Sequence, residues 1–296
     1  MRGRISLLSV IRPHIVLGGI LGYTLGVLFP SVQSRQDPFV IMLGYLAVLL
    51  TDLSTHYSND YFDLELDKEA EWKPFGGNNV LIEQPYLGSW MIRVAILLSV
   101  SSLVLAIFLV IHYDTRLFFL GLILLGNLLG WGYSNPWTHL KARGLGELAI
   151  SIFTGIIVPT SGYLVSSGSL SMGFLLFTLP LVLYGFMLSV FLEIPDYDVD
   201  KEHGIENLVV RFGIKRMIFL CTALMALNTS YYLTGIIPYI PKMWLSSVSL
   251  CPLIACVVFL LIGFESRKNI EFNVFLVISS LFAFVFGVNV VLIFFQ

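Results

Sequence analysis

Charge is what this sequence has least of: Asp, Glu, Lys and Arg make up only 12% of its 296 residues, about half the share of an ordinary soluble domain. With 57% hydrophobic residues and a mean hydropathy of +0.86, that scarcity excludes a soluble globular domain and points to an integral membrane protein. The 17 basic residues are scattered singly against 19 acidic ones, for a net charge of −2, which argues against a nucleic-acid partner and a polybasic lipid anchor. Cysteine is equally sparse. Cys221, Cys251 and Cys256 lie within apolar runs with no CxxC or Cys/His spacing, so they are expected as small apolar side chains, without a disulfide or metal role. No cleavable signal is expected either, since the first apolar run follows Arg12-Pro13 without a small-residue cleavage pattern.

Long apolar runs are what the chain has in abundance. Stretches near the roughly 20 residues that a helix needs to cross a bilayer fall at 13–30, 39–58, 88–111, 116–134, 145–165, 172–194, 214–236, 243–264 and 272–294. Runs such as LFFLGLILLGNLLGW are continuously apolar, which fits helices that satisfy their own backbone and not the alternation of a barrel. The expected fold is all-α, a polytopic bundle of about nine transmembrane helices. Fourteen of the 17 lysines and arginines fall on the side of the N-terminus, leaving Arg35, Arg116 and Lys242 opposite, so the N-terminus is expected in the cytoplasm. The loops on that side, 59–87 and 195–213, are long and polar, whereas 166–171 opposite is short. Chemistry is therefore expected at the cytoplasmic face of the cell membrane. The whole chain, 1–296, reads as one transmembrane domain. A weak repeat divides it into helices 1–4 (1–134), helices 5–8 (145–264) and a ninth (272–294), because an acidic cluster closes both the second and the sixth span.

Those clusters are SNDYFDLELD, Ser58 to Asp67, and Asp196, Asp198 and Asp200. If the second span continues as a helix, Asn59, Asp63 and Asp67 recur every four residues and share a face, with Asp60 beside them. By the same projection Glu193, Asp196 and Asp200 lie together, while Glu65 and Asp198 fall off the two faces. Clustered carboxylates at the edge of hydrocarbon are costly unless compensated. A divalent cation is the natural compensation, and Mg²⁺ commonly joins one or two carboxylates to substrate phosphates, so facing acidic clusters predict a diphosphate held through Mg²⁺ bridges. Tyr133, Ser134, Lys141, Arg143, Arg211 and Arg12 are candidate contacts for its remaining oxygens, although each cation also reads as a positive-inside anchor. Asp52 and His56, deeper on the same stripe, are candidate bases for deprotonating an acceptor, or a pair that satisfies itself.

With both clusters in view, the chain resembles the UbiA superfamily of intramembrane prenyltransferases. NDYFDLELD (59–67) is similar to its NDxxDxxxD motif and DYDVDKEHG (196–204) to its second DxxxD motif. Arg12-Pro13, YSNP...LKARGLGE at 133–147 and NLVVRFG at 207–213 follow the family's order. NLVVRFG and FGGNNVL at 75–81 look closest to the menaquinone-pathway branch, which prenylates dihydroxynaphthoate. The stretch KEAEWKPFGGNN lacks the Asn-x-Pro-x-Arg-Pro run of other branches, and Glu206-Asn207 stands where menaquinone-type members carry Lys-Thr. The resemblance implies a helical bundle around a central cavity, Mg²⁺ as cofactor held by Asn59, Asp63, Asp67, Asp196 and Asp200, an isoprenyl diphosphate donor, and an opening toward membrane lipid.

The expected reaction is transfer of an isoprenyl group from its diphosphate to an aromatic, quinone-precursor acceptor through an allylic cation. A glycerol-phosphate lipid is the alternative acceptor. CDP-alcohol phosphotransferases also place aspartates at helix ends, but their DG dipeptide is missing here. A cation-coupled transporter would place its acidic residues in mid-span, not at span ends.

Overall fold

The computed structural model describes residues 13–29, 37–69, 79–113, 117–238, 240–263 and 266–294. Among the described residues nine long helices fill the apolar runs and no strand occurs. They are α1 (Pro13–Val27), α2 (Pro38–Phe62), α3 (Gly88–His112), α4 (Leu117–Ser134), α5 (Gly146–Ser167), α6 (Met172–Glu193), α7 (Ile214–Leu233), α8 (Lys242–Ile262) and α9 (Arg267–Phe294). Seven, all but α1 and α7, are long and apolar enough to cross a membrane. The α1 helix has 15 residues, and α7 is diluted by Lys215, Arg216, Asn228 and Thr229.

Local chemistry sets the helix ends. Asp37 accepts the Phe39 N–H (2.8 Å) ahead of Pro38, whose missing donor costs nothing in a first turn. Ser171 likewise accepts the Phe174 N–H at the start of α6. Three helices contain an internal proline and stay helical, Pro159 in α5, Pro180 in α6 and Pro252 in α8. Pro180 cannot donate to Leu176 O, and the Tyr231 hydroxyl of α7 donates there at 3.0 Å instead. In α5 a π turn, Phe153–Ile157, precedes Pro159.

The α2 helix packs along α3 and α4, α7 pairs with α8, and α8 with α9. The first half of α5 lies against α6 and its second half against α1, while α9 reaches both α6 and α1 and so closes the bundle. One apolar core surrounds Val40, Ala47, Phe119 and Ile123 in the first half of the chain. A larger one joins Phe177, Phe191, Cys221, Phe259 and Phe284 in the second. The outer faces are also apolar: Leu97, Leu128 and Leu261 are 63, 63 and 77% exposed, as lipid-facing positions are. Cys221 and Cys256 are buried and Cys251 exposed, all three as free thiols.

Polar side chains and missing ones lock the helices together. Asn127 of α4 donates to Thr51 of α2 (3.2 Å) and Ser102 of α3 (3.0 Å) and accepts from Ser99 (2.6 Å), fixing three helices at one point. Between α1 and α5 the backbones touch. A methyl group added to Gly26 would fall inside the Pro159 carbonyl, and one on Gly162 inside the Tyr23 carbonyl.

Candidate active site

The α2 helix does not end cleanly. Asp63 caps it, yet Asp63 N–H bonds Asn59 O (2.8 Å) and Asp67 N–H bonds Asp63 O (2.8 Å), carrying the helical path into the short helix Leu64–Glu69. Because a spacing of four holds one face, Asp52, His56, Asn59, Asp63 and Asp67 all line a single cavity of about 350 Å³, and Asp60 joins them. Glu65 instead pairs with Lys68 (2.6 Å) on the exposed side.

The end of α6 behaves differently. Pro195 has no N–H and restricts the residue before it, so the α-helix stops at Glu193 and a 3₁₀ turn, Ile194–Asp196, leads to a second short helix, Tyr197–Glu202. Side chains three apart eclipse in a 3₁₀ turn, and Glu193 and Asp196 both line the cavity. Asp200 departs from the projected face. It is 1% exposed and absent from the cavity lining; its Oδ1 accepts from Lys141 Nζ (3.1 Å) and its Oδ2 from Asn207 Nδ2 (2.7 Å). Asp198 is exposed. A projection at 100° per residue cannot cross a proline turn, which is why the two motifs do not present their aspartates alike.

Lys141 lines the cavity wall between the two acidic ends. Burial opposes its charge, but the carboxylates of Asp200, Asp63, Asp196 and Glu193 outweigh that and hold the ammonium well above the usual lysine range. Ser134 donates to Asp63 Oδ2 (2.6 Å), and Tyr133, also in the lining, donates to Glu193 Oε1 (3.4 Å). The other expected cations lie elsewhere. Arg143 is exposed and donates to Trp137 O (3.2 Å), because two steps on in the 3₁₀ turn Lys141–Arg143 it projects away from Lys141. Arg211 pairs with Glu206 (3.1 Å) and donates to Arg143 O (3.2 Å). Neither arginine lines the cavity. Arg12 lies outside the described residues, as does 75–78 of the FGGNNVL stretch.

Two fully buried residues carry no signal in the acidic spacing. Glu147, at the start of α5, accepts the Leu208 N–H. Asn207 caps the short helix Leu208–Phe212 by accepting the Val210 N–H (2.8 Å) while its amide reaches Asp200. Its place just before LVVRF, where asparagine is a favoured cap, was the legible trace.

Apart from Thr55 and Thr154 the rest of the cavity is apolar, with Phe153 of α5, Leu188 and Phe191 of α6, Ile278 and Phe282 of α9, and Gly18, Gly19 and Gly22 of α1. Deeper on the α2 stripe, Asp52 and His56 form a pair at 3.4 Å. Among the described residues no three carboxylate, histidine or cysteine side chains converge to hold a metal ion by themselves. The donors facing the cavity are nevertheless hard oxygens, and the buried Asn59 Oδ1 has no hydrogen-bond partner. Such donors suit Mg²⁺, which takes few protein ligands and completes its shell with water and substrate oxygens.

Comparison with known proteins gives the chain its relatives. The digeranylgeranylglyceryl phosphate synthase of Sulfolobus acidocaldarius is 27% identical over 209 residues, 70% of each chain. The homogentisate geranylgeranyltransferase of Triticum aestivum is 25% identical over 236 residues, 72% of this chain and 53% of its own, so the chain spans about half the length of that plant relative. Among solved structures, a UbiA homolog from Archaeoglobus fulgidus bound to DMAPP and Mg²⁺ shares the fold, with a TM-score of 0.68 at 17% identity over 96% of this chain and 99% of that one. The profile of the UbiA prenyltransferase family matches residues 20–281, which takes in both acidic helix ends and most of the cavity lining between them: this chain belongs to the UbiA prenyltransferase family.

Proposed function

We propose that the protein transfers an isoprenyl group from an isoprenyl diphosphate to an acceptor inside the membrane, with Mg²⁺ as cofactor. The observation that carries this is the convergence of Asn59, Asp63, Asp67, Asp196 and Lys141 on one cavity that also has a broad apolar wall. A diphosphate and a hydrocarbon tail need those two environments side by side. Mg²⁺, when bound, would offset the charge of the diphosphate and make it a better leaving group. Asn59, Asp63, Asp67 and Asp196 are the residues to hold it. Lys141 donates to phosphate oxygens and stabilises the charge they gain as the allylic C–O bond breaks and its electron pair leaves with the diphosphate. Tyr133 and Ser134 orient Glu193 and Asp63 through their hydroxyls. Phe153, Phe191 and Phe282 in the cavity lining stabilise the allylic cation and exclude water. The acceptor then forms the new bond to the allylic carbon and loses a proton, for which Asp52 and His56 are the nearest candidate bases on the stripe.

An aromatic quinone precursor of the dihydroxynaphthoate kind is the acceptor we favour, on the motif resemblance at 207–213 and on a relative that carries homogentisate in its name. A glycerol-phosphate lipid is the second reading, favoured by the archaeal relative. Nine spans, with the N-terminus and the cavity mouth toward the cytoplasm, complete the proposal, supported by the distribution of lysine and arginine. Calorimetric titration of the purified protein with geranyl diphosphate, with and without Mg²⁺, tests it. Binding that requires Mg²⁺ is expected, and no binding in either condition would remove the reading; product formation with an aromatic or a glycerol-phosphate acceptor then separates the two acceptor classes.

A further inference from the structure

The polar stripe of α2 runs past the acidic helix end into the apolar half of the cavity, and it ends there on a carboxyl. Asp52 precedes Asp63 by eleven residues, both in the cavity lining. The Asp52 side chain is 15% exposed, and it opens on the cavity. Its Oδ1 faces His56 Nε2 at 3.4 Å. Its Oδ2 faces α1 at Gly19, where no side chain stands: a methyl group added to Gly19 would lie 3.8 Å from that oxygen and 3.6 Å from the Tyr45 hydroxyl. Glycine thereby leaves room in front of the carboxyl, and that room belongs to the cavity.

The hydroxyl groups on this side already donate elsewhere. Tyr45 donates to Val16 O (3.0 Å), Thr55 to Thr51 O (3.1 Å) and, on the α5 wall, Thr154 to Ile150 O (2.8 Å). Lys141 is the one lysine or arginine among the described residues of the lining, and it stands at the acidic end. From this geometry we propose that the Asp52 end of the cavity is the acceptor subsite, where Asp52 recognises the acceptor by accepting a hydrogen bond from one of its hydroxyl groups. A phenol or hydroquinone hydroxyl supplies the donor that the protein does not. A carboxylate or phosphate would instead bring acceptor oxygens and negative charge against Asp52 with no cation to offset them. An analogue that lacks the hydroxyl leaves the carboxyl unpaired and is rejected for that reason. The distance suits the assignment, because eleven helical residues rise roughly 16 Å, room for a diphosphate and a ring system end to end. The inference rests on the prenyl-transfer reading and deepens it: a hydroxyl is what this end reads, and any anionic group on the acceptor turns away from it.

The test is calorimetric titration of the purified protein in detergent, without oxygen, in Mg²⁺ and inorganic diphosphate, which fill the acidic end without reacting. The probes are 1,4-naphthohydroquinone, its dimethyl ether and its 2-carboxylate. The native chain is expected to bind the hydroquinone at least about tenfold more tightly than the ether, the worth of one hydrogen bond to a carboxylate, and to gain nothing from the added carboxylate. Asp52→Leu should bring hydroquinone and ether to within about threefold of each other. Asp52→Asn keeps one acceptor oxygen and should retain part of the preference, which a merely structural role for Asp52 would not require. Asp52→Arg should reverse the order, with the 2-carboxylate bound most tightly. Absence of hydroquinone binding, a native chain indifferent to hydroquinone and ether, tighter native binding of the 2-carboxylate, or a preference that survives Asp52→Leu each overturns the proposal. A separate titration of the native chain with geranyl diphosphate and Mg²⁺ tells the two readings apart: no binding there overturns prenyl transfer itself, whereas binding there with any of those acceptor results overturns this inference alone.

Discussion

The two acidic helix ends of this protein look alike in sequence and are built differently. At the end of α2 the helical path continues through Asp63, and every fourth residue from Asn59 to Asp67 faces the cavity. At the end of α6, Pro195 breaks the path; Glu193 and Asp196 keep the cavity face, while Asp200 is carried behind it to Lys141. The difference teaches that an acidic spacing assigns roles only as far as the backbone beneath it stays regular. At one end the whole stripe reaches the cavity, and at the other Asp200 sits behind the wall, paired with Lys141.

The largest expected effect breaks the first end. Asp63→Asn removes a carboxylate from the cavity and should weaken Mg²⁺-dependent geranyl diphosphate binding by at least roughly a hundredfold, read by calorimetry in detergent. Next comes Lys141→Met. This variant should lower diphosphate affinity on the order of thirtyfold or more, and it also leaves Asp200 buried without its cation, a loss of several kcal/mol. Adding Asp200→Asn should therefore restore part of the thermal stability while leaving affinity low, a contrast that thermal melts and calorimetry read separately. Pro195→Ala sharpens the comparison by letting the second end continue as a helix. With Asp196 rotated off the eclipsed position, affinity should fall on the order of tenfold, as small misplacements at such sites do, with melting temperature nearly unchanged. The smallest effects belong to Arg143→Ala and Arg211→Ala. Their bonds are exposed, of a kind contributing about 0.2–1 kcal/mol, so affinity should change less than about fivefold.

Helix positions were legible because bilayer thickness makes apolar run length nearly sufficient: among the described residues each expected run holds a helix whose ends differ from expectation by only a few residues, and seven of them are long and apolar enough to cross a membrane. The first acidic face was legible for the same reason: nothing between Ser54 and Phe62 interrupts α2. The position of Asp200 was not, since Pro195 changes the angular step and the partners Lys141 and Asn207 come from distant points in the chain. Arg143 and Arg211 carry the right charge for a diphosphate, but linear order says nothing of the exposed bonds to Trp137 O and Glu206 that hold them away from the cavity. Asn127, which ties three helices, stands alone in LFFLGLILLGNLLGW with no spacing to mark it.

The seam between α1 and α5 bears on how a greasy substrate reaches the cavity. Gly26 and Gly162 bring the two backbones together with no side chain between them, so an acyl or prenyl chain in the bilayer meets a sealed wall there. On the proposed function, a prenyl donor arriving from the lipid would pass at another joint between helices, where side chains alone separate them.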